Sequence, residues 1–393
     1  MKELVIKDFC YISDGNYSSK YPRSDEFKES GIPFIRANNL VNGTVVSDDM
    51  YFISPEKHSE LRKGHLRTDD VLITTRGNIG QTAVVPAEFH DANINAQIVL
   101  LRVDKEKILP KYLEYALHTD TVVQQIESSI TGTALKQLPV GRLEKIKVKI
   151  HPKNEQEHIV SVLQKIDALT SAQKEQLETI ETIVKSRFVE LFGNLVIGDK
   201  VNSNKKKIGD IASVTKLAGF EFTKYIQYKE QGDIIMLRGL NCKKGHLVLD
   251  DIKWIDKETS DLLPRSKLYY GDILMTYAGT IGDVAMVDAD DKYHLAPNVA
   301  KITLNDKTAC NPVFLMHLFM YTNDYIMTFA SVVAQASINM EKIRNFEYYF
   351  PPVELQNQFA AFVEQTDKSK LAVQQSLEKL ETLKKALMQK YFE

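Results

Sequence analysis

Asp14 and the triplet Glu26-Phe27-Lys28 are the side-chain types with which a nuclease holds a divalent cation against a phosphodiester. An acid-x-Lys triplet is common by chance, and this one lies in a stretch that the internal repeat described below does not share. Histidine chemistry is no better supported. The nine histidines are scattered, there is no H-E-x-x-H, and the close pair His151 and His158 has Pro152 between its members at a helix start, so no metal site is expected. The chain has no G-x-x-x-x-G-K-[ST] phosphate loop and no G-x-G-x-x-G turn. It also lacks the N-P-P-[FY] tetrapeptide with which an amino-methyltransferase would hold its target amine, since Pro351-Pro352 follow Phe350 without a leading Asn. Cys10, Cys242 and Cys310 are far apart with no C-x-x-C spacing, which fits buried thiols in a reducing compartment. No catalytic residue is assigned, and no cofactor is expected in this chain.

Two glycine turns remain, Gly77-Asn78-Ile79-Gly80 and Gly279-Thr280-Ile281-Gly282, each between two apolar runs. They read either as tight hairpins that need glycine dihedrals or as loops whose backbone N–H groups approach phosphate. Their flanks differ: Thr75-Arg76 in one, Tyr277-Ala278 in the other.

These turns are pieces of a larger duplication. Asp70, Leu72, Thr74, Gly77, Ile79, Gly80, Ala83 and Val85 recur 202 residues later as Asp272, Leu274, Thr276, Gly279, Ile281, Gly282, Ala285 and Val287. Ile35-Arg36, Asn39 and Gly43 match Leu237-Arg238, Asn241 and Gly245 at the same offset. Further on the offset is 200, and residues 152–192 share ten identities in 41 positions with 352–392, against roughly two or three expected by chance. Residues 11–31 and 213–233 share little. Two copies kept one frame and diverged in part of it.

Each copy opens with about 150 residues of short β-type runs, GIPFIRA, DVLITTRG and AQIVLLRV in the first and DIIMLRG, DILMTYAG and NVAKITL in the second. Short helices are predicted at PKYLEYALHT and NPVFLMHLFMYT. Each copy then closes with a stretch rich in Glu, Lys, Gln, Leu and Ala, 155–192 and 355–392, that reads as one long helix. Heptad positions Ile159, Ile166, Gln173 and Ile180, with Leu163, Thr170, Leu177, Val184 and Leu191, make a seam in the first. Phe359, Thr366, Val373, Leu380 and Leu387, with Val363, Lys370, Leu377, Lys384 and Tyr391, make it in the second. So narrow a stripe on a helix about 57 Å long needs a partner. Either the two helices bury their stripes against each other, antiparallel if the copies are related by a two-fold, or each packs back on its own domain. The first reading gives an α+β chain in which two β-rich domains form a pseudo-two-fold tandem repeat, separated by two long helices in an antiparallel coiled coil. The boundaries are 1–152, helix 153–193, linker 194–206, 207–352 and helix 353–393.

Hydrophobic residues at 44 % and charged residues at 26 % are ordinary for a globular protein, and no apolar run approaches the ~18 residues of a membrane span. The opening MKELVIKDFC lacks the apolar core of a signal peptide, so a cytoplasmic protein is expected. Net charge is −2, which does not by itself point to nucleic acid. Local patches do: Lys136, Arg142, Lys145, Lys147 and Lys149 stand against Glu144 alone in 136–149, and Lys205-Lys206-Lys207 follow. Both patches are equally compatible with a solvated face. The second copy is poorer here, with Lys342 and Arg344 against Glu341 and Glu347.

Taken together and in order, these motifs resemble the specificity subunits of Type I restriction–modification enzymes over nearly the whole chain. The carriers are Ile32-Pro33-Phe34-Ile35-Arg36-Ala37-Asn38-Asn39, the segments Asp70–Gly80 and Asp272–Gly282, Gly132-Thr133-Ala134-Leu135-Lys136-Gln137-Leu138 before a basic strand, and Pro152-Lys153-Asn154-Glu155-Gln156-Glu157-His158-Ile159 opening the long helix. The second copy departs from the pattern with Ala336-Ser337 in place of Gly-Thr and Leu355-Gln356 in place of Glu-Gln.

The resemblance implies a non-catalytic subunit whose two target-recognition domains each read half of an interrupted, asymmetric site on double-stranded DNA. The helices would set the spacing and dock two methyltransferase subunits, which would bind S-adenosylmethionine, with a restriction/translocase subunit as a further partner. Base contacts are expected from Arg36, Asn38, Thr75, Arg76, Asn78, Lys136 and Gln137, and from Arg238, Asn241, Tyr277, Thr280, Ser337 and Asn339. The competing readings are a stand-alone nuclease and a coiled-coil scaffold for protein partners.

Overall fold

Apolar alternation and turn chemistry place the strands where the repeat puts them. In the computed structural model, which describes residues 1–15, 19–198, 205–331 and 336–393, the chain divides into two units. The first is Met1–Lys174 with Gln375–Glu393, and the second is Glu175–Gln374. Each unit is therefore one β-rich module together with half of each long helix. Of the expected linker 194–206, residues 199–204 lie outside the described residues.

In the first unit a six-stranded sheet runs Cys10–Asp14, Ile98–Val103, Val71–Thr74, Thr82–Val84, Gly43–Val45, Leu40–Val41. A second sheet sets Ile32–Ile35 between Tyr51–Ile53 and Asn93–Ile94, the latter parallel. In the second unit Ala212–Lys216, Val299–Leu304, Ile273–Thr276 and Val284–Met286 form the equivalent main sheet. Ile234–Leu237 lies between Lys253–Ile255 and a parallel Tyr293–Leu295. The main-sheet register repeats: Ile98 faces Thr74 as Val299 faces Thr276. The strands Val71–Thr74 and Ile273–Thr276 are buried on both faces, which explains their unbroken apolar runs.

The long helices span Lys153–Phe192 and Val353–Phe392. The first ends at Gly193, whose φ of 63° and N–H to the Val189 carbonyl (2.8 Å) make a left-handed stop that a residue with a Cβ resists. A buried glutamine anchors the start of each helix. Gln156 accepts from the Leu109 N–H (2.9 Å) and donates to the Lys107 and His151 carbonyls, while Gln356 accepts from Asn311 N–H (2.9 Å) and donates to Pro351.

Both sequence readings of the stripe hold locally. In the first unit Ile159 and Leu163, near the start of one helix, share a core with Phe392, Leu387 and Tyr391, near the end of the other, and with the β-rich module. In the second unit Val184, Phe188 and Phe192 meet Phe359 and Val363. Start packs with end in both units, so the helices run antiparallel. Seam positions Ile159, Leu163, Ile166, Val184, Phe359, Val363 and Val373 are buried, and Leu177, Ile180, Leu377, Leu380 and Leu387 are half-buried. Two polar seam positions are paired: Lys370 reaches Glu181 (3.0 Å) and Lys384 reaches Asp167 (2.6 Å).

Candidate nucleic-acid interface

Two loops come together at the end of each main sheet. In the first unit the turn after Thr74 carries Arg76, Gly77 and Asn78, all exposed. Thr74 fixes it from below: its hydroxyl donates to the Asn78 carbonyl (2.5 Å) and accepts from Gln81 N–H (3.0 Å). Gly77 and Gly80 have φ of 72° and 93°, and a Cβ on either would meet nothing within 4 Å. Backbone conformation, not crowding, requires glycine there. Beside this turn lies a hairpin closed by reciprocal Thr131–Gln137 hydrogen bonds (2.8 and 2.9 Å). It is joined to the turn by an Arg76–Gln137 bridge and by the Leu138 N–H on the Thr75 carbonyl (2.9 Å). Its tip presents Thr133, Leu135 and Lys136, and Leu135 is 88 % exposed.

The second unit rebuilds this scaffold with other side chains. Thr276 bonds the Thr280 carbonyl and the Asp283 N–H, Ala278 bridges Ser337, Ile338 N–H reaches the Tyr277 carbonyl (2.9 Å), and Ser331 pairs with Ser337. These bonds put Ser337 opposite Gln137 and Ala336 opposite Lys136. The sequence reading had set Ala336-Ser337 against Gly132-Thr133; that position counts to residues 332 and 333, outside the described residues.

The candidate DNA contacts separate into two groups. Arg76, Asn78 and Lys136, with Gln137 half-buried beside them, meet on one face in the first unit, and Tyr277, Thr280 and Ser337 meet on the equivalent face of the second. The others serve the fold. Asn241 is fully buried, donates to the Val248 and Asp251 carbonyls (2.8 and 2.9 Å) and accepts from Arg238 N–H. Its repeat partner Asn39 is likewise buried, accepting from Arg36 N–H and donating to the Asp48 carbonyl. Asn38 is exposed but sits by Asp49, away from the loop pair in sequence and bonding. Arg36 pairs with Asp49 and stacks on Tyr51 (3.5 Å), and Arg238 pairs with Asp251. The Thr75 side chain is buried and bonds the Gln97 carbonyl (3.2 Å). Asn339 caps the helix Met340–Arg344 by accepting from Lys342 N–H (2.8 Å). A side chain already committed to the backbone beneath a turn is not available to a base edge. Sequence reading missed Leu135 as an outward residue; its only signal was an apolar side chain at the tip of a Gly-Thr hairpin.

Of the basic stretch, Lys136 and Lys145 are exposed, Lys147 pairs with Glu3 (3.2 Å), and Arg142 donates to the Ser129 carbonyl (3.1 Å). Lys205 pairs with Glu347 (3.1 Å), leaving Lys206 and Lys207 exposed.

The modules differ along their short helices, Pro110–Ala116 and Pro312–Tyr321. In the first unit Glu114 is buried. It accepts from the Thr82 hydroxyl (3.1 Å) and pairs with Lys111 (3.0 Å) and His118 (3.4 Å), and Tyr115 donates to Asp167 (2.7 Å). Burial pushes the Glu114 carboxyl up, but the His118 hydrogen bond and Lys111 together bring it below its ordinary value. The equivalent positions in the second unit are Met316, His317 and Met320, and a cleft of about 980 Å³ opens there, bordered also by His246, Asp367 and Lys370. His317 is held to about pH 3 by burial, helped by His246 and Lys370.

Residues 1–182 and 200–383 each match the family described as Type I restriction modification DNA specificity domain, and the chain belongs to that family. It is 22 % identical to the putative type I restriction enzyme MjaX specificity subunit of Methanocaldococcus jannaschii, over 98 % of this chain and 90 % of that protein. It is also 22 % identical to the EcoBI specificity subunit of Escherichia coli, over 94 % and 81 %. In fold it is similar to a chain solved in a study of complex assembly and conformational transition of the type I R-M system (TM-score 0.59, 15 % identity, 100 % of this chain and 97 % of that one). It is similar too to the S subunit of M. genitalium (TM-score 0.57, 13 % identity, 100 % and 96 %). No helix among the described residues is long and apolar enough to cross a membrane.

Proposed function

We propose that this chain is the DNA-reading, non-catalytic subunit of a Type I restriction–modification enzyme, with each β-rich module reading one half of a bipartite, asymmetric target in double-stranded DNA. One observation carries the reading: two units hold the same pair of loops by the same backbone bonds while presenting unlike side chains outward. Arg76, Asn78, Lys136 and Gln137 in the first unit correspond to Ala278, Thr280, Ala336 and Ser337 in the second. A repeated frame with different contact groups is what two different half-sites require, because base edges are told apart by donor and acceptor pattern.

The helices, 40 residues each, set the spacing and offer their outward faces to two methyltransferase subunits in the cytoplasm. Those subunits supply S-adenosylmethionine and much of the phosphate neutralisation that a chain of net charge −2 cannot. A restriction/translocase subunit is a further partner. Co-expression with the methyltransferase subunit, followed by mapping of methylated adenines, tests this. Arg76→Ala is expected to relax base preference by about 1–3 kcal/mol in one half-site only. Equal relaxation in both halves, or cleavage of DNA by the pure chain with Mg²⁺, contradicts it.

A further inference from the structure

His58 lies on the short helix Pro55–Glu60, His65 bridges the strand Asn93–Ile94, and Asp91 occupies the turn just before that strand with φ 64°. One ring nitrogen from each histidine and a carboxylate oxygen of Asp91 lie within 4.8 Å of one another. The two rings stand edge to face, 4.5 Å apart.

The hydrogen bonds around this trio decide its chemistry. Nδ1 of His58 is bonded to the Asn93 side chain, which leaves Nε2 as the ring nitrogen toward Asp91. That Nε2 is 3.4 Å from Asp91 Oδ2. Nε2 of His65 is bonded to the Leu61 carbonyl (2.6 Å), so it donates, and Nδ1 is the lone-pair nitrogen of this ring. A ring nitrogen of each histidine and a carboxylate oxygen of Asp91 thus gather at one point, a set that a cation can satisfy. A backbone carbonyl behind one ring and an amide oxygen behind the other are the outer partners that orient metal-binding histidines.

The second unit does not keep these three groups. Ser260, Lys267 and Lys292 stand where His58, His65 and Asp91 do, as the matching pairs His65–Asn93 and Lys267–His294 show.

We infer that His58, His65 and Asp91 form a zinc site that ties the helix Pro55–Glu60 to the strand Asn93–Ile94. Two nitrogens and one oxygen suit a borderline-soft divalent ion better than Mg²⁺ or Ca²⁺, which favour all-oxygen shells. Half-buried histidines and an exposed Asp91 leave the fourth tetrahedral position to water. The inference does not depend on the DNA reading.

The test uses the full chain, stripped with chelator and titrated with Zn²⁺ alone against a chromophoric competitor, with X-ray absorption at the zinc edge. One equivalent is expected, with two imidazole nitrogens at about 2.0 Å, together with a rise in thermal midpoint. His65→Lys is expected to weaken binding roughly 100-fold or more, and the H65K/D91K pair to abolish it. Both variants install residues that the second unit already carries at these positions, and circular dichroism checks that they fold. An absence of stoichiometric uptake overturns the site, and so does an equivalent that survives H65K/D91K. If a proton on His58 bridges to Asp91 instead, zinc leaves the thermal midpoint unchanged, which also overturns it.

Discussion

On the first unit's short helix Lys111, Glu114 and His118 form a charged network against Thr82, and Tyr115 and Lys384 meet on Asp167, beside an apolar seam of Tyr112, Ile159 and Phe392. The second unit has thioethers and rings at the corresponding places. Phe188 and Phe314 stack, Phe192 and Phe359 meet them edge to face, and Met316 and Met320 border an open cleft. The backbone frame is common to both, so a duplicated fold constrains where the chain goes far more tightly than which force holds it there. A polar junction fails when one partner is removed, whereas an apolar one fails in proportion to the volume lost.

Phe359→Ala is expected to cost the second unit about 3–5 kcal/mol, read from urea unfolding through Trp254, the only tryptophan. Ile159→Ala, its equivalent in the first unit, should leave the Trp254 transition in place; an equal shift there would break the comparison. Glu114→Met transplants the second unit's residue into the first and strands Lys111. A loss of about 2–3 kcal/mol is expected, followed by hydrogen exchange in the strand Thr82–Val84. A neutral result would show that the network is dispensable.

Acid should separate the units. Below pH 6.5 the unfolded chain protonates His317 while the folded one does not, so the second unit loses stability as pH falls from 6.5 towards 3, by up to about 1.4 kcal/mol per pH unit. Burial lowers His246 as well, and it adds in the same direction. In the first unit burial also lowers His151, by less than His317, and Glu114 is held below its ordinary value of 4.5, so the Glu114 contribution is present above that pH and fades only below it. Urea midpoints at pH 7 and 5.5 check this: the Trp254 transition should drop and His317→Gln should flatten the drop. The smallest effect is Lys136→Ala, expected to relax base preference by about 1 kcal/mol in the half-site that Arg76 reads. An even loss of binding across sequences, with a salt slope reduced by about 0.9, would make Lys136 a phosphate contact instead.

Much of the frame was legible because the repeat, the glycine turns and the heptad stripes all follow from backbone needs. The individual contacts were less so. Repeated residues such as Asn39/Asn241 and Gln156/Gln356 announced the fold, and their repetition made Asn241 look functional when it clamps a loop from inside. The outward residues are those that do not repeat, and only the hydrogen-bond register, which slides from an offset of 202 to 200 across the module, pairs Gln137 with Ser337. The His58–His65 spacing equals that of His151 and His158, but Asp91 and the Asn93 and Leu61 acceptors reach it only through folding.

Because each long helix is divided between units, the hydrophobic interior of the first is closed by Phe392, near the far end of the sequence. A ribosome making this chain therefore releases an N-terminal module that stays unsealed through some two hundred further codons. The second unit, whose segments are contiguous from Glu175 to Gln374, can close first.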